Sequence, residues 1–311
     1  IEIQAPIETW SDDFSMAIAG IPSMVNEFST GSFMETHYHS QFDNEICYDE
    51  QVYRFHHELY GLLVLRLDQL AVVPLDFSRV FRKLKKSVNA DLGDSVDIET
   101  ETLTASIEEA KQSARYVYKR IRQVNKQYRK MIQNGSEQEA EKLSEKMAPI
   151  EKKLLYLFQK EQDELVRLNW HDEVLFPQES VQNNLQYLER ALNHLREGNL
   201  RFALQSLYRI DNNRYAFLFE EKVYHHFTEY VLNQPKERLK WGAGRIVHHE
   251  NLYQLVKRLM KKEEGDVFEE EIDDLERVKA RQIQYYRDDL SYIMRAVDEM
   301  KKILEETKEA M

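Results

Sequence analysis

The chain is poor in the residues that tie, bend or break a polypeptide. Among 311 residues there is one cysteine, Cys47, which excludes an internal disulfide framework and a cysteine-based zinc cluster. Glycine (9) and proline (6) are scarce. Strand-and-turn architectures use both freely, so a mostly helical protein is expected. No run of about 18 uncharged apolar residues is present, the length a membrane-spanning helix needs. The best stretch, Leu59 to Leu75, is interrupted by Arg66 and Asp68. A basic excess is also missing: 43 Lys and Arg stand against 55 Asp and Glu, a formal charge of −12. That balance opposes phosphate neutralisation, and a nucleic-acid partner is not expected. The first residue is Ile1, not Met, and IEIQAPIETWSDDFS reads as the interior of a longer chain.

What is present divides near residue 94. Before it come short apolar runs, aromatic clusters and loop signals at Pro6, Gly20-Ile21-Pro22, Gly31 and Pro74. Residues 20–28 read as a tight turn and a short strand, and residues 49–72 as a helix that Pro74 helps to end. This first part reads as mixed α/β. Beyond it, Ile107, Ala110, Ala114, Val117, Ile121, Val124, Tyr128 and Met131 alternate in steps of 3 and 4, a heptad seam opened by a capping box at Ser106 and Glu109. Asn134-Gly135 ends that helix. Ser136 and Glu139 open the next, with a seam of Ala140, Leu143, Met147, Ile150, Leu154 and Leu157, and Pro149 is expected to kink it or mark its start. Further helices are expected at 180–197 (stopped by Gly198), 199–210, 216–232 and 247–262, and a last long one follows. The fold class is therefore α+β overall and mostly α, with residues 1–94 one unit and residues 95–311 a long-helix bundle.

Most catalytic signatures are absent. No histidine has a Glu three residues before it, so a ferritin-like di-iron bundle is excluded. His57-Glu58 is not followed by a zincin spacing, and there is no GxSxG, P-loop or GxGxxG opening a helix. The pairs His225-His226 and His248-His249 lie in sequence that reads as helical, as amphipathic or interface histidines. What remains is Glu35 to Asn44, expected on a loop after a strand and before a helix, where α/β folds place their sites. There His37 and His39, with Asp43 nearby, have the chemistry of an imidazole metal ligand and a carboxylate that orients it.

Three elements in this first part share an order with a known family. Ser11, Asp12, Gly20, Ile21 and Pro22 fit the SDHxxFxxxGIP element of the zinc peptidases related to glutamate carboxypeptidase and the transferrin receptor, with Asp13 in place of His and Met16 in place of Phe. Tyr38-His39-Ser40-x-x-Asp43 resembles their Y-H-[ST]-x-x-[DE] element, and Leu70 to Asp76 is similar to their closing helix and its LPFD exit. The resemblance covers roughly residues 7–85. It implies that residues 1–94 are the C-terminal piece of an α/β zinc-peptidase domain. It further implies that His39 is a ligand in a two-zinc site and that Tyr38 donates a hydrogen bond to the oxyanion. His37 is the fallback ligand, and Asp43 is the candidate for orienting the loop or the histidine. The family takes its other zinc ligands and its general-base Glu from sequence before the SDH element, so this chain supplies at most one ligand and is expected to be inactive alone. A peptide substrate in the complete parent, a homodimer through residues 95–311 and a secreted or cell-surface setting follow from the same resemblance. The alternative is a non-catalytic, receptor-like or interaction protein of the same fold.

Overall fold

The computed structural model describes residues 8–9, 11–24, 31–233 and 244–311. In chain order the helices are α1 (Asp12–Ile18), α2 (Gly31–Thr36), α3 (Glu50–Asp68), α4 (Ser78–Ser87), α5 (Ala90–Ser95), α6 (Glu101–Gln133), α7 (Glu137–Leu165), α8 (Pro177–Arg196), α9 (Leu200–Leu207), α10 (Glu221–Leu232), α11 (Tyr253–Leu259) and α12 (Glu269–Ala310). Two-residue strands β1 (Arg167–Leu168) and β2 (Val174–Leu175) form a small antiparallel hairpin. The mostly helical class is as the scarcity of glycine and proline predicts. Within residues 1–94, however, the described residues form helices and no strand, a correction to the mixed α/β reading. The strand expected at the end of residues 20–28 falls on 25–28, outside the described residues.

Three long helices make the main core. On α6 the seam residues Ile107, Ala110, Ala114, Val117 and Ile121 are buried, and on α7 Met147, Ile150, Leu154 and Leu157 face them. The C-terminal half of α12 closes the layer with Ile293, Val297, Met300 and Leu304. Knobs at this 3–4 spacing keep one stripe facing the neighbour along the whole helix. Pro149 sits inside α7 without ending it. The start of α6 differs from expectation, because the helix begins at Glu101 and Ser106 lies within it. The Glu99 carboxylate accepts from the Thr102 N–H at 2.7 Å, so an acid one turn earlier satisfies an orphan donor. The Ser106 hydroxyl instead donates to Asp298 on α12.

Residues 71–84 belong to this same core across the compositional change at 94. Val72, Phe77, Phe81 and Leu84 are buried in it, and Asn125 on α6 fixes the entry. Its Oδ1 accepts from the backbone N–H groups of Ala71 (3.0 Å) and Val72 (3.1 Å), and its Nδ2 donates to the Val72 carbonyl (2.8 Å). Asn125 is 3 % exposed, so each of these groups lacks water as an alternative partner. Asn125→Ala is expected to lower the unfolding free energy by about 2–3 kcal/mol in urea titrations; a loss within measurement error would show that the clamp is dispensable.

A second core forms around α8, α9, α11 and the N-terminal half of α12, from Leu188, Leu192, Ala203, Leu207, Val256, Leu259 and Leu275. Gly198 ends α8 at φ +78°, with the Asn199 N–H bonded to the His194 carbonyl and the Gly198 N–H to the Leu195 carbonyl. This is a Schellman closure that favours glycine. α12 spans both cores. A smaller cluster of Phe14, Ile18 and Leu168 seats α1 on the hairpin. Gly20 closes α1 at φ +89°, where a Cβ would meet the Gln159 side chain at 2.8 Å, so glycine is required twice over at this turn.

Candidate functional site

The His37–Asp43 loop follows α2, a helix, where the sequence reading placed a strand. The end of α2 is tightened by the His37 and Tyr38 N–H groups, both bonded to the Phe33 carbonyl at 2.9 and 3.0 Å. His39 then adopts φ +56°, a left-handed conformation uncommon for a residue with a Cβ. Ser40 locks the reversal: its hydroxyl donates to the His37 carbonyl (2.6 Å) and accepts from the Phe42 N–H (3.1 Å). The loop is thus shaped by local bonds.

Its side chains split into two small stacks. The Phe33 and His37 rings are parallel at 5.8 Å, and the Tyr38 and His39 rings stack at 3.9 Å. The Thr36 hydroxyl lies 2.6 Å from His37 Nδ1, which engages that imidazole locally. His39 and Asp43 are exposed, and Tyr38 is 43 % exposed. The structure brings Tyr38 and His39 together and leaves Asp43 apart. Among the described residues no hydrogen bond joins Asp43 to either, so Asp43 acts on this loop through its N–H to the Ser40 carbonyl (3.1 Å). No group of three His, Cys, Asp or Glu able to hold a metal ion exists among the described residues. The described part of this chain does not by itself fit a zinc ion, and His39 is a single accessible imidazole.

A second polar cluster was not expected from the sequence. Asp211 is fully buried and gathers four donors. Tyr224 Oη, Asn212 Nδ2 (2.9 Å), the Leu252 N–H (2.9 Å) and His249 Nε2 (2.7 Å) all bond its carboxylate. Burial first, and the Asp211 charge second, push the Tyr224 phenol well above its ordinary range, which keeps it a donor. Beside it, His248 bonds Asp289 at 2.9 Å and stacks on Tyr285 at 4.5 Å. Burial raises the Asp289 carboxyl, with the His248 contact opposing. His248 and His249 therefore lie on a loop and not on a helix, a correction to the helical reading, and His248 has φ +57°. Trp170, Asn184 and Arg209 join both histidines around a cavity of about 20 Å³. One water fits such a space, and a small-molecule pocket starts at about 300 Å³. This cluster is a structural junction. Its one legible trace in the sequence was the Asp211-Asn212-Asn213 run, which has the composition of a turn.

His225 remains on the helix expected for it, α10, bonded to Glu221 (3.4 Å) and Asn251 (3.3 Å) at the surface. No family model, no curated protein and no solved structure matches the chain.

Proposed function

We propose that this chain is the C-terminal part of a two-zinc metallo-exopeptidase, an amino- or carboxypeptidase, in which His39 supplies one metal ligand and Tyr38 a hydrogen bond to the oxyanion. The observation that carries the reading is α3, the helix that follows the His39 loop. It is 19 residues long and none of its residues is buried, yet Val52, Phe55, Tyr60, Leu62, Val64 and Leu65 are all exposed on it. The stretch from Tyr60 to Leu67, apolar but for Gly61 and Arg66 and without a buried residue, is the kind that is covered within a larger layered domain. The three motif elements, in order over roughly residues 7–85, say which kind of domain. A phenol aimed at developing negative charge is worth more in the transition state than in the ground state, which is the role proposed for Tyr38.

The remaining zinc ligands lie outside the described residues in this reading, so the test uses the chain joined to its natural upstream sequence. That protein is expected to bind two zinc ions and to hydrolyse aminoacyl or peptidyl anilides. His39→Ala is expected to lose one zinc and nearly all turnover. Tyr38→Phe keeps both ions and loses about 10²-fold in kcat. Full zinc and full rate in His39→Ala overturn the assignment, as does an upstream sequence without a His, Asp and Glu ligand set. The alternative is a receptor-like, non-catalytic protein of the same fold; a complete chain that binds no zinc identifies that case.

A further inference from the structure

α6 carries its charges in separate blocks. From Ala110 to Gln133 it has eight Lys and Arg residues and no carboxylate. A helix dipole favours cations only in the last turn, whereas this block runs for more than six turns. Other cations are paired: Lys111 at the start of the block shares Glu108 with Lys85, Lys301 meets Glu109, and Arg196 meets Glu276. On this face of α6 no ion pair forms among the described residues. Arg115, Lys119, Arg122, Lys126 and Arg129 line one wall of an open groove of about 640 Å³, and Arg66 is the one cation that α3 adds to its lining. The opposite wall is apolar, formed by Leu63, Leu67 and Leu70 at helical spacing, with Pro74 beyond them. No acidic residue among the described residues lines the groove. In a chain of net charge −12, a basic groove of this size is a local reversal of sign that focuses anionic partners.

We propose that the α3–α6 groove docks an acidic, amphipathic segment of a partner protein, its carboxylates against α6 and its apolar side chains against Leu63, Leu67 and Leu70. The two unlike walls select this occupant. A nucleic acid would be served by a run of stacking rings, whereas the described lining of the groove offers the single ring of Tyr118 and three leucines that suit apolar side chains. A second copy of this chain is disfavoured because its acidic stretch at the start of α12 is engaged internally, Glu271 with Lys262, Asp274 with Arg258 and Glu276 with Arg196. Helix-in-groove recognition combines apolar anchors at i, i+4 and i+7 with charge at the margin, and Leu63, Leu67 and Leu70 give that spacing on the receiving side. The proposal does not depend on the His39 assignment, and it uses the α6 side of α3, Leu63 and Leu67, not the outward Leu62, Val64 and Leu65 that a larger domain would cover.

The test measures fluorescence anisotropy of a labelled Leu/Glu amphipathic peptide of about 14 residues against the full 311-residue chain. Micromolar binding that weakens with salt is expected, with at least a tenfold loss in Arg115→Glu/Arg122→Glu and a comparable loss in Leu67→Asp. The Gln-for-Glu peptide is expected not to bind, and the control pair Arg201→Glu/Lys261→Glu, at the second core, to bind as the parent does. Circular dichroism confirms that the exposed substitutions leave the fold intact. The proposal is overturned if the acidic peptide fails to bind, if the control pair loses as much affinity, or if Leu67→Asp has no effect. It is equally overturned if oligothymidine binds more tightly than the peptide through the same arginines.

Discussion

Asp211→Ala is expected to cost roughly 3–5 kcal/mol of stability, the range for breaking a buried charged network by removing one partner. The carboxylate is fully buried and holds four donors: the Tyr224 hydroxyl, the Asn212 amide, the Leu252 N–H and the His249 imidazole. Truncation leaves each of them to bear its own desolvation. These donors come from α10, the turn after α9 and the loop that enters α11, so the second core loses its registry along with its hydrogen bonds. Urea titration of the whole chain reads the effect as a lower midpoint. Tyr224→Phe removes one donor and keeps the ring packed among Phe217 and Tyr253, and is expected to lose only about 1 kcal/mol. Equal losses in the two variants would show that the Tyr224 hydroxyl bond, and not the carboxylate's other three partners, carries the stability of the junction.

Glu161 gives the second large effect, and it is a dependence on pH. It continues the α7 stripe of Met147, Ile150, Leu154 and Leu157, and burial pushes its carboxyl up to about 8. One neutral donor, the Gln162 amide at 3.2 Å, does little to offset that burial. The folded pKa lies above the ordinary 4.5, so the folded protein binds the proton more tightly than the unfolded chain. Its contribution is complete below about pH 4.5 and is lost as pH rises towards 8, about 5 kcal/mol in total. Glu161→Gln is expected to abolish this component: the variant's advantage over the parent grows between those limits and levels off above them. Stability curves that run parallel from pH 5 to 9 would show that Glu161 is ionised in the native state.

The long helices were readable because apolar spacing is a local property. The α6 stripe is buried from Ile107 to Ile121, after which Val124, Tyr128 and Met131 are only partly covered and Asn125 takes the inward position. A 3.6-residue helix drifts away from a 3.5-residue repeat, and the polar Asn125 is held inside by backbone groups 53 and 54 residues away. Nothing near Asn125 in the sequence announces them. The same holds for His248 and His249, whose neighbours look helical while their partners Asp289 and Asp211 lie 41 and 38 residues off. The Ser106/Glu109 pattern failed for a different reason. Ser-x-x-Glu also suits the interior of a helix, and Glu99 had already supplied a cap further upstream. At the Tyr38–His39 loop the sequence carried the residue types and their order, while the left-handed turn at His39 depends on Ser40, whose bonds are local and were open to reading.

The two-core span of α12 has a consequence for biosynthesis. The α6–α7 hairpin leaves the ribosome with its apolar stripes complete, but the residues that cover them, Ile293 to Leu304, are made more than a hundred positions later. At roughly 5–20 residues per second, that interval is on the order of ten seconds, far longer than the microseconds in which helices form and collapse begins. Throughout it the nascent chain displays the uncovered half of its own core, the kind of transiently exposed apolar surface that aggregates.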